Sequence, residues 1–135
     1  TLPVAMVAAL GMAAELAVRD NQKRQQRCNE IRIDAMKAFE SLNPRYSGDA
    51  SRVLPHVLNV AIAGLDSEAL IVALKDLIAI SNGSACTSSS YAPSHVLKAM
   101  GMTDDEANSC VRISWCHLTP SVDWAAVAAR IRSLI

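Results

Sequence analysis

The sequence predicts an α/β domain of the α+β kind, a small sheet covered by helices. Three observations carry that reading. Residues 4–42 contain no proline and a single glycine, so they read as one long helical run. Short apolar runs at 57–62, 77–80 and 110–116 read as strands. Helical patterns fall between and after these runs, giving the order helix, strand, helix, strand, helix, strand, helix.

Thr1 can cap the first helix, with Pro3 in its first turn. In its second half Cys28, Ile31, Ala35, Ala38 or Phe39, and Leu42 recur at helical spacing, with charged residues on the other faces. A break or bend is expected near Asp20-Asn21. Asn43-Pro44 ends the helix and Gly48-Asp49 marks a turn. Asp66 or Ser67 caps a helix from Glu68 to about Lys75. Leu77 to Ile80 is the strand that delivers the chain into a polar loop. A short helix over Pro93 to Met100 stops at Gly101, and Thr103 with Glu106 forms a capping box for one or two further turns. Thr119-Pro120 starts the last helix, with Val122, Ala126, Ala129 and Ile131 or Leu134 facing a core. The expected division is a connecting helix over 1–42 and a small domain over 43–135, with the loop at 81–93.

At 135 residues this is one domain's worth of chain, about half apolar and with zero net charge. Bulk charge therefore gives no reason to expect a nucleic-acid or membrane partner. The Lys23, Arg24, Arg27 cluster reads as a solvated helix face. The apolar start, Leu2 to Val18, is interrupted by Pro3, Gly11 and Glu15 and falls short of the roughly 20 residues a membrane span needs. It reads instead as a helix buried against further protein. The four cysteines, Cys28, Cys86, Cys110 and Cys116, form no compact framework, which implies reduced thiols and a cytoplasmic protein. His56, His95 and His117 form no ligand set, and Cys110, Cys116 and His117 match no zinc spacing, so no metal is expected.

Two residues stand out as candidates for chemistry. Cys86 lies in Ser81-Asn82-Gly83-Ser84-Ala85-Cys86-Thr87-Ser88-Ser89-Ser90, a run too polar to build a core. Sulfur is a strong nucleophile, and loops flanked by rigid elements concentrate function. No Lys, Arg or His lies within eight residues of Cys86, so any activation comes from elsewhere in the fold. Arg112 sits in the last strand, where alternation puts Val111, Ile113 and Trp115 on one face and Cys110, Arg112, Ser114 and Cys116 on the other. The apolar face belongs to the core, so Arg112 points to a cleft or solvent, where its guanidinium suits a carboxylate.

The cysteine loop, followed by Pro93-Ser94, Val96-Leu97, Met100-Gly101 and Val111-Arg112-Ile113-Ser114, resembles the C-terminal part of the cysteine desulfurases with a long cysteine loop. These are pyridoxal-phosphate enzymes of the class V aminotransferase family, and the resemblance covers essentially the whole chain. It implies the C-terminal domain of a fold-type I enzyme, entered by a long helix from a large domain. It implies that Cys86 attacks the sulfur of substrate L-cysteine, leaving alanine and a persulfide. Arg112 then binds the substrate carboxylate, and Thr1 reaches the cofactor phosphate of a homodimer partner. Sulfur-acceptor proteins are the implied partners, in iron–sulfur cluster assembly, tRNA thiolation or DNA phosphorothioation.

Three departures matter. His56-Val57 stands where the family often has Asn, and Cys116-His117 replaces Gly and a basic residue. The family's cofactor lysine, preceded by His, has no counterpart among Lys23, Lys37, Lys75 and Lys98. A selenocysteine lyase or related class V aminotransferase is the alternative enzyme, and a sulfur-relay thiol module without cofactor is the alternative outside enzymes. With one carboxylate clamp, one thiol and at most one phosphate contact, these 135 residues read as a fragment. Mixed as a separate polypeptide with pyridoxal phosphate and cysteine, they are expected to bind no cofactor and form neither alanine nor sulfide. Cofactor-dependent turnover would overturn that expectation.

Overall fold

The computed structural model describes residues 2–83 and 93–135. Helix α1, Val4–Phe39, is continuous, without the break expected at Asp20-Asn21. Side chains span that point at helical spacing: Arg24 donates to Asp20 at 3.3 Å and Gln25 to Asn21 at 2.9 Å. Pro3 is the N-cap rather than a first-turn residue, and Thr1 lies outside the described residues. A 3₁₀ turn over Glu40–Leu42 and Asn43 in the left-handed region (φ 49°) close the helix.

Three antiparallel strands follow, in the order β1 (Arg45–Tyr46), β2 (Val57–Ala61) and β3 (Cys110–Ser114). The two-residue β1 was not evident from the sequence. Helix α2, Ser67–Leu74, is capped by Asp66, whose carboxylate accepts from Glu68 N at 2.9 Å and Ala69 N at 3.1 Å. Helix α3, His95–Ala99, is capped by Ser94 and closed at Gly101 (φ 86°), where a side chain would be strained. Helix α4, Asp104–Asn108, carries the expected capping box of Thr103 and Glu106.

The run 77–80 forms no strand. Leu77 N and Ile78 N both donate to Leu74 O at 2.9 Å, so the turn ending α2 uses the donors that a ladder needs. A single bridge, Ser81 to Arg112, is what remains of the expected pairing. The last helix, α5, is Trp124–Arg132 and starts later than Thr119-Pro120. The Thr119 hydroxyl instead accepts from Cys116 N at 2.9 Å, and Asp123 caps α5 by accepting from Ala126 N at 2.9 Å. The later start changes the inward register: Trp124, Val127, Ala128 and Ile131 are buried, whereas Ala129 and Leu134 are exposed.

The core lies between one face of the sheet and helices α1, α2 and α5. Cys28, Ile31, Ala35, Phe39 and Leu42 from α1 and its 3₁₀ turn meet Leu58 and Val60 of β2, Val111 and Ile113 of β3, and the buried face of α5. Phe39 and Trp124 meet edge to face at 5.9 Å between centroids, and Trp124 and Trp115 do so at 6.5 Å. A second, smaller cluster joins Ala61, Leu97, Met102, Ala107 and Cys110 under α3 and α4 on the other side of the sheet. Cys110 is thus buried, although the alternation put it on the non-core face.

The first half of α1 is different. Leu2, Val4, Met6, Val7, Leu10, Met12 and Val18 are between 55% and 82% exposed. The sequence reads this stretch as buried against further protein; among the described residues it is exposed.

Phe39→Ala is expected to lower folding stability by about 3–5 kcal/mol, because it removes a fully buried ring at the junction of α1 and α5. Val18→Ala, at an exposed site on the same helix, is expected to change it by about 0.5 kcal/mol or less. Urea unfolding of the two variants checks the contrast.

Candidate active site

Arg112 sits mid-strand in β3, between two neighbours. On one side it is in register with Asn59 of β2. On the other, Arg112 N donates to Ser81 O at 2.6 Å and Ser81 N donates to Arg112 O at 3.1 Å. Asn59 is held in turn by Ser47, whose hydroxyl donates to Asn59 Oδ1 at 2.5 Å. Ser47, Asn59, Arg112 and Ser81 therefore make a polar row across the face opposite the main core. Arg112 is exposed and takes part in no ion pair among the described residues. Arg45 of β1 is already bound to Glu106.

The same bridge that flanks Arg112 is the entry to the cysteine loop. Asn82 Nδ2 donates to Ser67 Oγ at 3.2 Å, tying the loop's first residues to the start of α2. Ser67 is nearly fully buried, so this contact also gives a buried hydroxyl a partner. At the exit, Ser94 Oγ accepts from Leu97 N at 3.5 Å, and Leu97 is buried in the smaller cluster beside Cys110. Both stems of the loop are thereby fastened close to β3. Cys86 itself, and the loop residues on either side of it, lie outside the described residues. Sequence reasoning named Arg112 and Cys86 but missed the Asn82–Ser67 contact and the Asn59–Ser47 support. The position of Asn59 was recoverable from the alternation of β2; the Ser67 contact had no local signal.

The other cysteines differ in character. Burial pushes the Cys110 thiol up, against weaker opposing effects of Ser47 and Arg45. Burial pushes Cys28 up as well, with a further contribution from Cys116. Cys116 is exposed, and donors from the Leu118 backbone and Thr119 hold its thiol below the ordinary range. Among the described residues no three or more His, Cys, Asp or Glu side chains gather as a metal site. The Lys23, Arg24, Arg27 face is partly neutralised from within, since Arg24 pairs with Asp20 at 3.3 Å and Arg27 with Glu30 at 3.4 Å. The Arg19 guanidinium brings the Asp20 carboxyl down to about 2.

No family model matches the sequence. Among curated proteins, a cysteine desulfurase IscS from Vibrio campbellii is 38% identical over 136 residues, covering 97% of this chain and 33% of the relative. Another from Photorhabdus laumondii is 37% identical over 93% of this chain and 31% of its own length. The chain thus spans about a third of the curated relatives it matches. Among solved structures, a NifS-like protein superposes with a TM-score of 0.76 at 21% identity over 99% of this chain and 34% of its own, which establishes the fold. DndA from Streptomyces lividans superposes with a TM-score of 0.63 at 32% identity over 86% of this chain and 32% of its own.

A long helix leading into a three-stranded sheet with helices on its faces matches the C-terminal domain of the class V pyridoxal-phosphate aminotransferase fold. Within that class, the chain is homologous to the C-terminal part of the cysteine desulfurases.

The fold class implies pyridoxal phosphate, and a lysine would anchor it. Lys23 and Lys37 are exposed on α1, Lys75 is the exposed C-cap of α2, and Lys98 of α3 is bound to Asp104 at 2.9 Å. None is the buried amine that such an anchor needs, so the described residues do not by themselves fit the cofactor.

The thiol environments predict an order of alkylation in the folded chain. Cys116 reacts with iodoacetamide fastest of the described cysteines, and its rate is already substantial at a pH where an ordinary thiol is mostly protonated. Cys28 and Cys110 react only after opening, because both are buried and their thiols are pushed up. Peptide mapping across a pH series checks this order.

Proposed function

We propose that this chain supplies the sulfur-accepting cysteine and the substrate-carboxylate arginine of a cysteine desulfurase. The observation that carries the reading is the joining of Arg112 to Ser81, the first residue of the cysteine loop, through two backbone hydrogen bonds. Cys86 follows five residues later in the chain. A guanidinium without an ion pair among the described residues and a thiol on a tethered loop are the two groups that an amino-acid thiol substrate calls for. Arg112 fixes the carboxylate by a forked pair of hydrogen bonds. The Cys86 thiolate attacks the substrate sulfur. A sulfur–sulfur bond forms, the carbon–sulfur bond breaks, and the carbon takes a proton to become alanine. A persulfide is left on Cys86 for delivery to an acceptor protein.

In the same reading, pyridoxal phosphate is held by residues other than the lysines of this chain. Residues 1–42 connect to a larger domain and 43–135 form the small one. The exposed apolar side chains along the first half of α1 support that division, since they are suited to burial against further protein. Thr1 contacts the cofactor phosphate of a homodimer partner. The protein works in the cytoplasm, where thiols stay reduced; the described cysteines are free, and no described helix is long and apolar enough to cross a membrane. Iron–sulfur cluster assembly, tRNA thiolation and DNA phosphorothioation are the destinations that the sulfur chemistry serves.

The test uses the whole protein that carries this chain. Cys86→Ser is expected to retain cofactor and cysteine binding and to lose sulfide and alanine production. Arg112→Ala is expected to weaken cysteine binding, read as a raised KM, and by as much as about 2–5 kcal/mol if the bound carboxylate is left buried without a partner. Wild-type turnover in Cys86→Ser would sink the assignment. An unchanged KM in Arg112→Ala would remove the carboxylate role while leaving the thiol's intact.

A further inference from the structure

Asn59 stands directly across the sheet from Arg112. Trp115 N donates to His56 O at 3.1 Å, which fixes the kind of each pair along the two strands. Ile113 with Leu58 and Val111 with Val60 are the hydrogen-bonded pairs, and Arg112 with Asn59 is the non-hydrogen-bonded pair between them. The backbones agree: Asn59 O accepts from Ser47 N at 3.1 Å, and Arg112 exchanges its bonds with Ser81. Pairs of this kind are the closer of the two, with Cα atoms about 4.5 Å apart and side chains adjacent on one face.

Ser47 decides which end of the Asn59 amide is free. Its hydroxyl donates to Asn59 Oδ1 at 2.5 Å, so one residue grips both the backbone and the amide oxygen. Ser47 follows β1, which lies on one side of β2, whereas β3 lies on the other. An amide oxygen turned toward β1 leaves Nδ2 turned toward β3, where Arg112 stands. Among the described residues neither Nδ2 nor the Arg112 guanidinium has an acceptor. The Glu106 carboxylate is taken by Arg45 and by Thr103 N, the latter at 2.9 Å. A guanidinium and an amide NH₂ are both donors, so they do not satisfy each other. One acceptor shared between them does.

We propose that Asn59 is a second substrate-binding residue, its Nδ2 donating to the carboxylate held by Arg112, with Ser47 as the positioning residue that turns the amide. The inference rests on the desulfurase reading and deepens it. A carboxylate has about four lone-pair positions, and a guanidinium fork fills two of them. Taken out of water, the carboxylate needs partners for the others as well. Asn59 supplies one without adding charge. The pair of donors also selects: a substrate with an alkyl group in place of the carboxylate leaves both unpaired, and one with an amide there presents donors to donors. The site is thereby matched to amino-acid thiols rather than to simple aminothiols.

The experiment uses the whole protein that carries this chain, with L-cysteine as substrate. Cysteamine, the same aminothiol without its carboxylate, serves as competing inhibitor. Asn59→Ala is expected to raise KM for L-cysteine about 10- to 100-fold, the worth of a hydrogen bond to a charged group, with kcat changed far less and inhibition by cysteamine unaltered. Asn59→Asp keeps the size but offers Arg112 an internal carboxylate, and raises KM further. Ser47→Ala raises KM by a smaller factor, and Ser47→Thr, which retains the hydroxyl, restores it. If Arg112→Ala raises KM and neither Asn59 variant does, the role of Asn59 is overturned while the desulfurase reading stands. If KM is unmoved in all three, the carboxylate site itself is lost. Equal weakening of cysteine and cysteamine in Asn59→Ala would reduce Asn59 to a structural residue and sink the proposal.

Discussion

The antiparallel pairing of β2 with β3 is the constraint on which the other arrangements depend. It runs over five residue pairs, from Val57 opposite Ser114 to Ala61 opposite Cys110. Because side chains alternate along a strand, this one register fixes two surfaces at once. Leu58, Val60, Val111 and Ile113 go into the core against α1 and α5. Asn59 and Arg112 go to the opposite face. A slip of β3 by one residue would bury the Arg112 guanidinium among apolar side chains and expose Val111 and Ile113. The apolar face thus sets the orientation of the polar one, and the candidate site is a consequence of how the core closes.

Loop attachment follows from the same strand. Among the described residues the outer edge of β3 is paired at a single point, and that point is the start of the cysteine loop. The loop returns through α3, whose Leu97 shares a cluster with Cys110 at the other end of β3. One strand therefore presents the cation and receives both ends of the segment that carries the proposed nucleophile.

Much of this was legible from local pattern. The stripe Cys28, Ile31, Ala35, Phe39 and Leu42 appeared in the sequence because helical spacing repeats faithfully over a long run. The Thr103–Glu106 box and the Asp66 cap were legible for the same reason, as their chemistry spans three residues or fewer. Where the reading failed, a competing hydrogen bond or a packing partner decided the outcome. The apolar residues 77–80 have strand character, but the turn closing α2 takes their amide donors first. Thr119 has helix-capping character, but its hydroxyl is used by Cys116. Cys110 lies on the non-core face, yet α3 and α4 cover it, and two short helices stacking there left no periodic trace. Arg112 was readable as outward-facing from its own strand, whereas its neighbours Ser81, Asn59 and Ser47 come from three other segments.

Helix α1 also has a mechanical character. Its last third is gripped by the core, while the 24 residues from Val4 to Arg27 extend away from the grip over about 36 Å, at 1.5 Å per residue. Such an element is a lever with its fulcrum near Cys28. A tilt of about 10° at the fulcrum, within the range over which helices bend, carries the far end about 6 Å. The hydrogen bond from Trp115 Nε1 to Cys28 O acts directly at this fulcrum. Small strains at the end of the arginine strand are therefore geared into large displacements at the opposite tip, and a load applied at the tip is returned to that strand multiplied.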